Sequence, residues 1–157
     1  MRDFPVLMFA AGFGTRMQHL TQDRPKPMIE VAGKPLVDHA LALTQVAGCS
    51  RVVANLHAKG VQTILETPDI LETGGGLRNA LGLLGGNPVM TLNTDAVWAG
   101  PNPIALLREA WRPEHMDALL ICIPPDQAIG HHGAGDFTLG ADGHLQRGPG
   151  VIYGGVQ

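Results

Sequence analysis

Val6-Leu7-Met8-Phe9-Ala10-Ala11-Gly12-Phe13-Gly14-Thr15-Arg16-Met17, running on to Arg24-Pro25-Lys26-Pro27-Met28, is the stretch that decides the fold. The apolar run Val6–Phe9 is long enough for a buried strand. It breaks into two alanines, two glycines, a hydroxyl and a cation, and a second cation, Lys26, follows between prolines. Glycines let backbone approach a ligand closely, and consecutive N–H groups in a turn form an anion-binding concavity. A strand end, a glycine loop, Arg16 and Lys26 together suit a polyphosphate. A dinucleotide fingerprint would need a third glycine where Met17 stands. A P-loop would need Ser or Thr after Gly33-Lys34, where Pro35 stands. A tight turn with surface charges is the plainer alternative.

Around this stretch the chain reads as alternating strands and helices. Leu36–Ala47 has apolar residues at helical spacing, and Gly48 is a natural stop. Arg51–Asn55 and Gly60–Glu66 read as strands and Leu77–Leu84 as a helix opened by glycines. Val89–Leu92 is a strand ending at Asn93-Thr94-Asp95, and Pro103–Trp111 is a helix with proline in its first turn. Ala118–Ile123 reads as a buried strand. Phe137–Leu139 and His144–Gln146 flank Gly140-Ala141-Asp142-Gly143 as a hairpin, and Val151–Tyr153 is a last strand. Thr21–Pro35 reads as an irregular polar stretch. The pattern predicts an α/β, Rossmann-like, mostly parallel sheet with helices on both faces. No linker divides residues 1–157, so a single domain is expected.

The 157 residues allow a sizeable core. A net charge of −3 exerts no overall pull toward nucleic acid or an anionic membrane, so local cations must do any phosphate binding. No apolar run reaches bilayer length, and no signal pattern opens the chain. Cys49 and Cys122 read as reduced core residues, and the cytoplasm is the expected compartment.

Ligands of such sheets bind beyond the carboxyl ends of the strands. The glycine loop and Asp95 both follow strands, so they should meet at one edge. Asp95 suits a Mg²⁺ site, where one or two carboxylates act with phosphates; a helix cap or turn is its other reading. Glu72-Thr73-Gly74-Gly75-Gly76 exposes backbone groups that can read a flat base, or forms a flexible loop. His131-His132, between Gly130 and Gly133, reads as a polar loop. Trp98 and Trp111 read as packing residues.

The string A-A-G-x-G-T-R-M, with P-K-P-M, V-x-G-K-P, E-T-G-G-G and a carboxylate after a later strand, resembles the sugar-1-phosphate nucleotidylyltransferases. The similarity is strongest over residues 6–37 and 66–98, and it leans to the N-acetylmuramate-1-phosphate uridylyltransferase branch, with mannose-1-phosphate guanylyltransferases near. The resemblance implies that a sugar 1-phosphate attacks the α-phosphorus of a nucleoside triphosphate and pyrophosphate leaves. It implies Arg16 on the leaving phosphates and Lys26 near the α-phosphate and sugar phosphate. Mg²⁺ would sit at Asp95, with Ala10, Ala11, Gly12, Gly14 and Thr15 at the nucleotide. Gly74 and Gly75 would lie at the base and Gly135 at the sugar. Asn93-Thr94-Asp95 departs from the family's usual Asn-Gly-Asp. A non-catalytic nucleotide or sugar-phosphate binding module of the same fold is the second expectation.

Two expectations concern missing chain. The resemblance puts a second metal carboxylate beyond the equivalent of Gln157, and the chain stops in an apolar strand, so a fragment is expected. The strands at 51–55 and 60–66 are separated only by Leu56–Lys59, too few residues for a parallel crossover. Either they form an antiparallel hairpin, or a segment is absent near His57–Lys59; absence is the favoured reading.

Overall fold

A computed structural model describes residues 3–11, 20–21, 24–55, 62–63, 72–86 and 88–157. Its centre is β1 (Val6–Phe9). Val6, Leu7 and Met8 are fully buried. On one side β1 pairs with β4 (Val52–Ala54), on the other with β6 (Met90–Asn93), both in parallel. β5 (Gln62–Thr63) lies outside β4, giving the order β5-β4-β1-β6. A parallel sheet covered on both faces needs apolar residues on both sides of a strand, which is why β1 reads as an unbroken run.

Alternate side chains of β1 serve two cores. Val6 and Met8 pack with Val37, Ala40, Ile104 and Leu107, from α1 (Leu36–Val46) and α3 (Pro103–Ala110). Leu7 packs the other way with Val53, Ala80 and Leu84, the latter two from α2 (Glu72–Leu84). α1 ends as its spacing predicts. Gly48 takes the left-handed conformation (φ 64°) and donates to Gln45 O at 2.9 Å. α3 is capped by Asn102, whose Oδ1 accepts from Ile104 N at 2.9 Å and Ala105 N at 3.4 Å.

Several elements differ from the sequence reading. The polar stretch before α1 holds a 3₁₀ turn, Lys26–Met28, and a small hairpin of β2 (Glu30–Val31) with β3 (Lys34–Pro35). Ala32 and Gly33 make its tight turn, both at positive φ. The glycine run does not precede α2 but lies inside it, because the helix starts at Glu72. Each glycine costs a helix about 1 kcal/mol relative to alanine; here packing of Leu77, Ala80 and Leu84 on the sheet offsets that cost. β5 pairs with β4 in parallel, in register Val53↔Gln62, which excludes the antiparallel hairpin between them. Residues 56–61, where a chain break is expected, lie outside the described residues, as does most of the 60–66 strand.

The expected buried strand at 118–123 is also different. The regular strand is only β7 (Cys122–Ile123), half-buried and antiparallel to β10 (Ile152–Tyr153), with Ile121 adding backbone bonds to Val156 and Gly154 at 2.9 Å. β8 (Phe137–Leu139) and β9 (Leu145–Arg147) form the expected hairpin. After β10 the chain turns along the outer side of β6. Gly155 O accepts from Asn93 N at 2.8 Å, and Gln157 exchanges bonds with Thr91 at 2.8 and 3.1 Å. Trp98 and Trp111 pack against the larger core, as expected.

Candidate active site

The parallel register lines up the strand ends. Phe9 stands opposite Asn93, and Met8 opposite Ala54. Just beyond them lie Ala10-Ala11, Asn55 and Thr94-Asp95. The Asn55 side chain accepts from two consecutive amides, Ala10 N at 2.6 Å and Ala11 N at 3.0 Å. From the other flank the buried Thr94 hydroxyl donates to Phe9 O at 2.9 Å. The exit of β1 into the glycine stretch is thus held on both sides. Sequence reading missed both residues. Their signal was a polar side chain placed directly after an apolar strand.

Lys26 reaches the same edge from a rigid base. Pro25 and the buried Pro27 flank it, Met28 N donates to Pro25 O at 2.9 Å, and Ile29 N donates to Lys26 O at 3.1 Å. Its Nζ donates to Asp95 Oδ2 at 2.6 Å. The Lys26 side chain is 27% exposed and that of Asp95 42%. Asp95 stands at the carboxyl edge, two residues beyond Asn93, which pairs with Phe9, and next to Thr94, which bonds Phe9 O. Gly12, Gly14, Thr15 and Arg16 lie outside the described residues.

α2 brings its first turn to this edge. Its last turn sits at the opposite end, where Arg51 Nη1 donates to Leu84 O at 3.1 Å. Gly86 there lies so close to Pro5 that an added Cβ would be 3.3 Å from the proline ring. A helix of 13 residues rises about 20 Å, so Thr73–Gly75 lie toward the strand ends that carry Asn55 and Ala10. First-turn N–H groups have no partner within the helix, whereas the carbonyls there accept from the next turn. Of the glycine run only Gly74 keeps such a donor, since Gly75 and Gly76 already bond within the helix, and the mixed edge expected of a loop is not formed. Gly74 is exposed, with open space where a Cβ would stand.

Gly135 has a packing reason to be glycine. It sits at φ 99°, and an added Cβ would come within 2.5 Å of Gly150 O. The remaining acids do not join Asp95. Asp117 lines a cavity of about 300 Å³ at the amino end of β6, with Pro88, Val89 and Met90. Asp136 accepts from Tyr153 N at 2.9 Å. Asp142 lies 3.0 Å from His144, and the His144 backbone N–H holds its carboxyl below the usual range. His131 and His132 lie in an exposed loop, and no cluster of three metal-ligating side chains exists among the described residues. Asp95 alone fits a hard divalent ion that keeps waters and leans on phosphates, and does not fit an all-protein cage.

A parallel sheet that gathers a lysine, a carboxylate and a glycine-rich strand exit at its carboxyl edge defines an α/β domain built to take its ligand there. The chain belongs to the MobA-like NTP transferase domain family, whose model matches residues 6–133. It is 40% identical over 158 aligned positions to N-acetylmuramate alpha-1-phosphate uridylyltransferase of Caulobacter vibrioides, covering 88% of this chain and 65% of that protein. The protein of the same name from Neisseria meningitidis serogroup B is 34% identical over 173 positions, covering 96% and 73%. The chain therefore spans roughly two thirds to three quarters of these relatives. The structure of HddC from Yersinia pseudotuberculosis complexed with GMP-PN superposes with a TM-score of 0.73 at 21% identity, over 98% of this chain and 75% of that one. No described helix is long and apolar enough to cross a membrane.

Proposed function

We propose that this domain joins a nucleoside monophosphate from a nucleoside triphosphate to a sugar 1-phosphate, with release of pyrophosphate. UTP and N-acetylmuramate 1-phosphate are the substrates proposed. The observation that carries the reading is the meeting of Lys26 and Asp95, 2.6 Å apart, beside Ala10-Ala11. One group is suited to a phosphate and the other to a cation, at the edge where such sheets bind ligands. The names of the two relatives supply the base and the sugar.

Lys26 binds and orients the α-phosphate and sugar phosphate, and Arg16 the leaving phosphates. Asp95 would hold a divalent cation, proposed as Mg²⁺, which supplies neutralisation of phosphate charge when bound. Such transfer is mainly positioning and charge stabilisation, with no protein nucleophile. Ala10 and Ala11 spend their N–H groups on Asn55, so they meet the nucleoside through carbonyls and methyls. Gly74 donates its N–H toward the base, Gly75 beside it leaves the base room by having no side chain, and Gly135 lies toward the sugar. The cytoplasm, where nucleotide sugars are made, is the proposed compartment.

An internal segment near 57–59 is also proposed to be absent. The Caulobacter alignment has 158 positions but draws on 88% of 157 residues, about 138, so roughly 20 positions face gaps. The Neisseria alignment leaves a similar number. A parallel pair bridged only by residues 55–61 is where a crossover of about a dozen residues or more belongs.

Pyrophosphate release by the intact protein, with a panel of triphosphates and sugar 1-phosphates, tests the function. UTP with N-acetylmuramate 1-phosphate should be turned over fastest. Lys26→Ala and Asp95→Asn should each lower kcat/KM by about 10- to 100-fold, the scale of a charge-assisted bond worth ~1.5–3 kcal/mol. Lys26→Arg should recover only part of the loss. Nucleotide binding without release from any pair would favour the binding module and end the enzymatic reading, and full turnover by Asp95→Asn would remove the cation-holding role of Asp95.

A further inference from the structure

We propose that Lys26 locks the cation position at Asp95, so that a divalent cation and a polyphosphate enter this site as partners and each arrives poorly alone. The inference rests on the reading above, which gives the two side chains separate ligands. In the free protein they satisfy each other: Lys26 Nζ donates to Asp95 Oδ2 at 2.6 Å. A divalent ion coming alone meets a carboxylate already neutralised and an ammonium at contact distance, which repels it. A polyphosphate coming alone meets a lysine held by a carboxylate, and the carboxylate itself repels phosphate.

The exchange is favourable when both arrive. Lys26 passes from Asp95 to a phosphate oxygen, and the cation takes up Asp95 and the phosphates, so every charge stays paired. Three observations make the lysine the moving part. Its backbone is braced by Pro25, the buried Pro27 and the 3₁₀ turn bonds, while its side chain is a four-carbon stem of rotatable bonds whose ammonium bonds Asp95 Oδ2. Asp95 follows Thr94, which is pinned to Phe9 O. Both side chains are partly exposed, at 27% and 42%, and a pair in contact with water is weak enough to change partners. Coupling of this kind is reciprocal: each ligand strengthens the other by the same factor.

Mn²⁺ binding to the nucleotide-free protein, followed by electron paramagnetic resonance of the free ion at low salt, tests the lock. Lys26→Gln should bind Mn²⁺ about three- to fivefold more tightly than the unaltered protein. Asp95→Asn and the double variant should bind it more weakly than Lys26→Gln. Lys26→Met provides a second uncharged side chain, and melting curves check that all variants are folded. In the reverse direction, Asp95→Asn should bind UTP severalfold more tightly than the unaltered protein in EDTA. Equal Mn²⁺ affinity of Lys26→Gln and the unaltered protein, with Asp95→Asn weaker, would overturn the lock and leave the catalytic reading standing. Mn²⁺ binding indifferent to Asp95, with or without UTP, would remove the metal site and the lock with it.

Discussion

Two ion pairs sit at opposite ends of the sheet, and they are built for different purposes. At the amino ends, Arg108 is almost wholly buried, its side chain 4% exposed. Its guanidinium donates to Ala47 O at 2.6 Å, Asp3 Oδ1 at 3.0 Å and Cys49 Sγ at 3.1 Å. Asp3 in turn accepts from the backbone and hydroxyl of Ser50. One side chain thereby joins the end of α1, the approach to β4, α3 and the residues before β1. Burial pushes the Cys49 thiol up while Arg108 pulls it down, so the sulfur stays a neutral acceptor. At the carboxyl ends, Lys26 and Asp95 meet in a single bond open to water. A buried cation shared among three acceptors is a clamp, because it cannot leave them without losing several bonds away from water, even though Asp3 itself is 39% exposed. A cation with one exposed partner can exchange it. The charges alike suggest salt bridges; their surroundings separate structure from site.

The sharpest way to break this contrast is to remove both cations. Arg108→Met should destabilise the domain by about 2–3 kcal/mol, because three bonds of a buried guanidinium are lost while the exposed Asp3 carboxylate is left to water. Lys26→Met should move stability by less than about 0.5 kcal/mol. Urea unfolding of both variants decides it, and equal losses would abolish the distinction. A smaller effect is expected where scaffold and site meet. Asn55→Ala strands the amides of Ala10 and Ala11 and should cost about 2 kcal/mol, with a raised KM for the triphosphate. Asn55→Asp keeps the acceptor and should recover the stability but not the KM, since its charge faces phosphate. If Asn55→Ala melts and turns over like the parent, the double bond to Asn55 has no positioning role.

Far from the carboxyl edge, Asn102→Ala removes the α3 cap and the 2.9 Å bond from Nδ2 to Leu43 O. It should cost about 1–2 kcal/mol and leave nucleotide affinity unchanged, measured by melting and titration side by side. The smallest effect is spectroscopic. Tyr153 is the one tyrosine of the chain, and burial pushes its hydroxyl above the ordinary value. The folded state therefore holds this proton more tightly than the unfolded state. Its stabilising contribution is complete below the unfolded value near 10 and is lost as pH rises through the folded one. Phenolate absorbance should titrate later in the native protein than in urea; coincident curves would show that Tyr153 is not shielded.

The sequence by itself determined the elements that depend on neighbours in the chain. The apolar run of β1, the spacing of α1 with Gly48 at its end, Pro103 opening α3 and the β8–β9 hairpin are all local patterns within a few residues. It also supplied the chemistry, since Lys26 and Asp95 stand out as a cation between prolines and an acid after a strand. Only the tertiary structure decided which distant groups meet. Register places Phe9 opposite Asn93 and so brings Asp95 within a hydrogen bond of Lys26, 69 residues away. The same alignment turns Asn55 onto the amides of Ala10 and Ala11 and excludes an antiparallel hairpin between β4 and β5, the less favoured of the two readings. It carries α2 back to Glu72, because burial of Leu77, Ala80 and Leu84 outweighs glycine's local preference. Local periodicity is written in the side chains three or four residues apart, whereas strand pairing and helix packing are settled by surfaces that exist only once the sheet has formed.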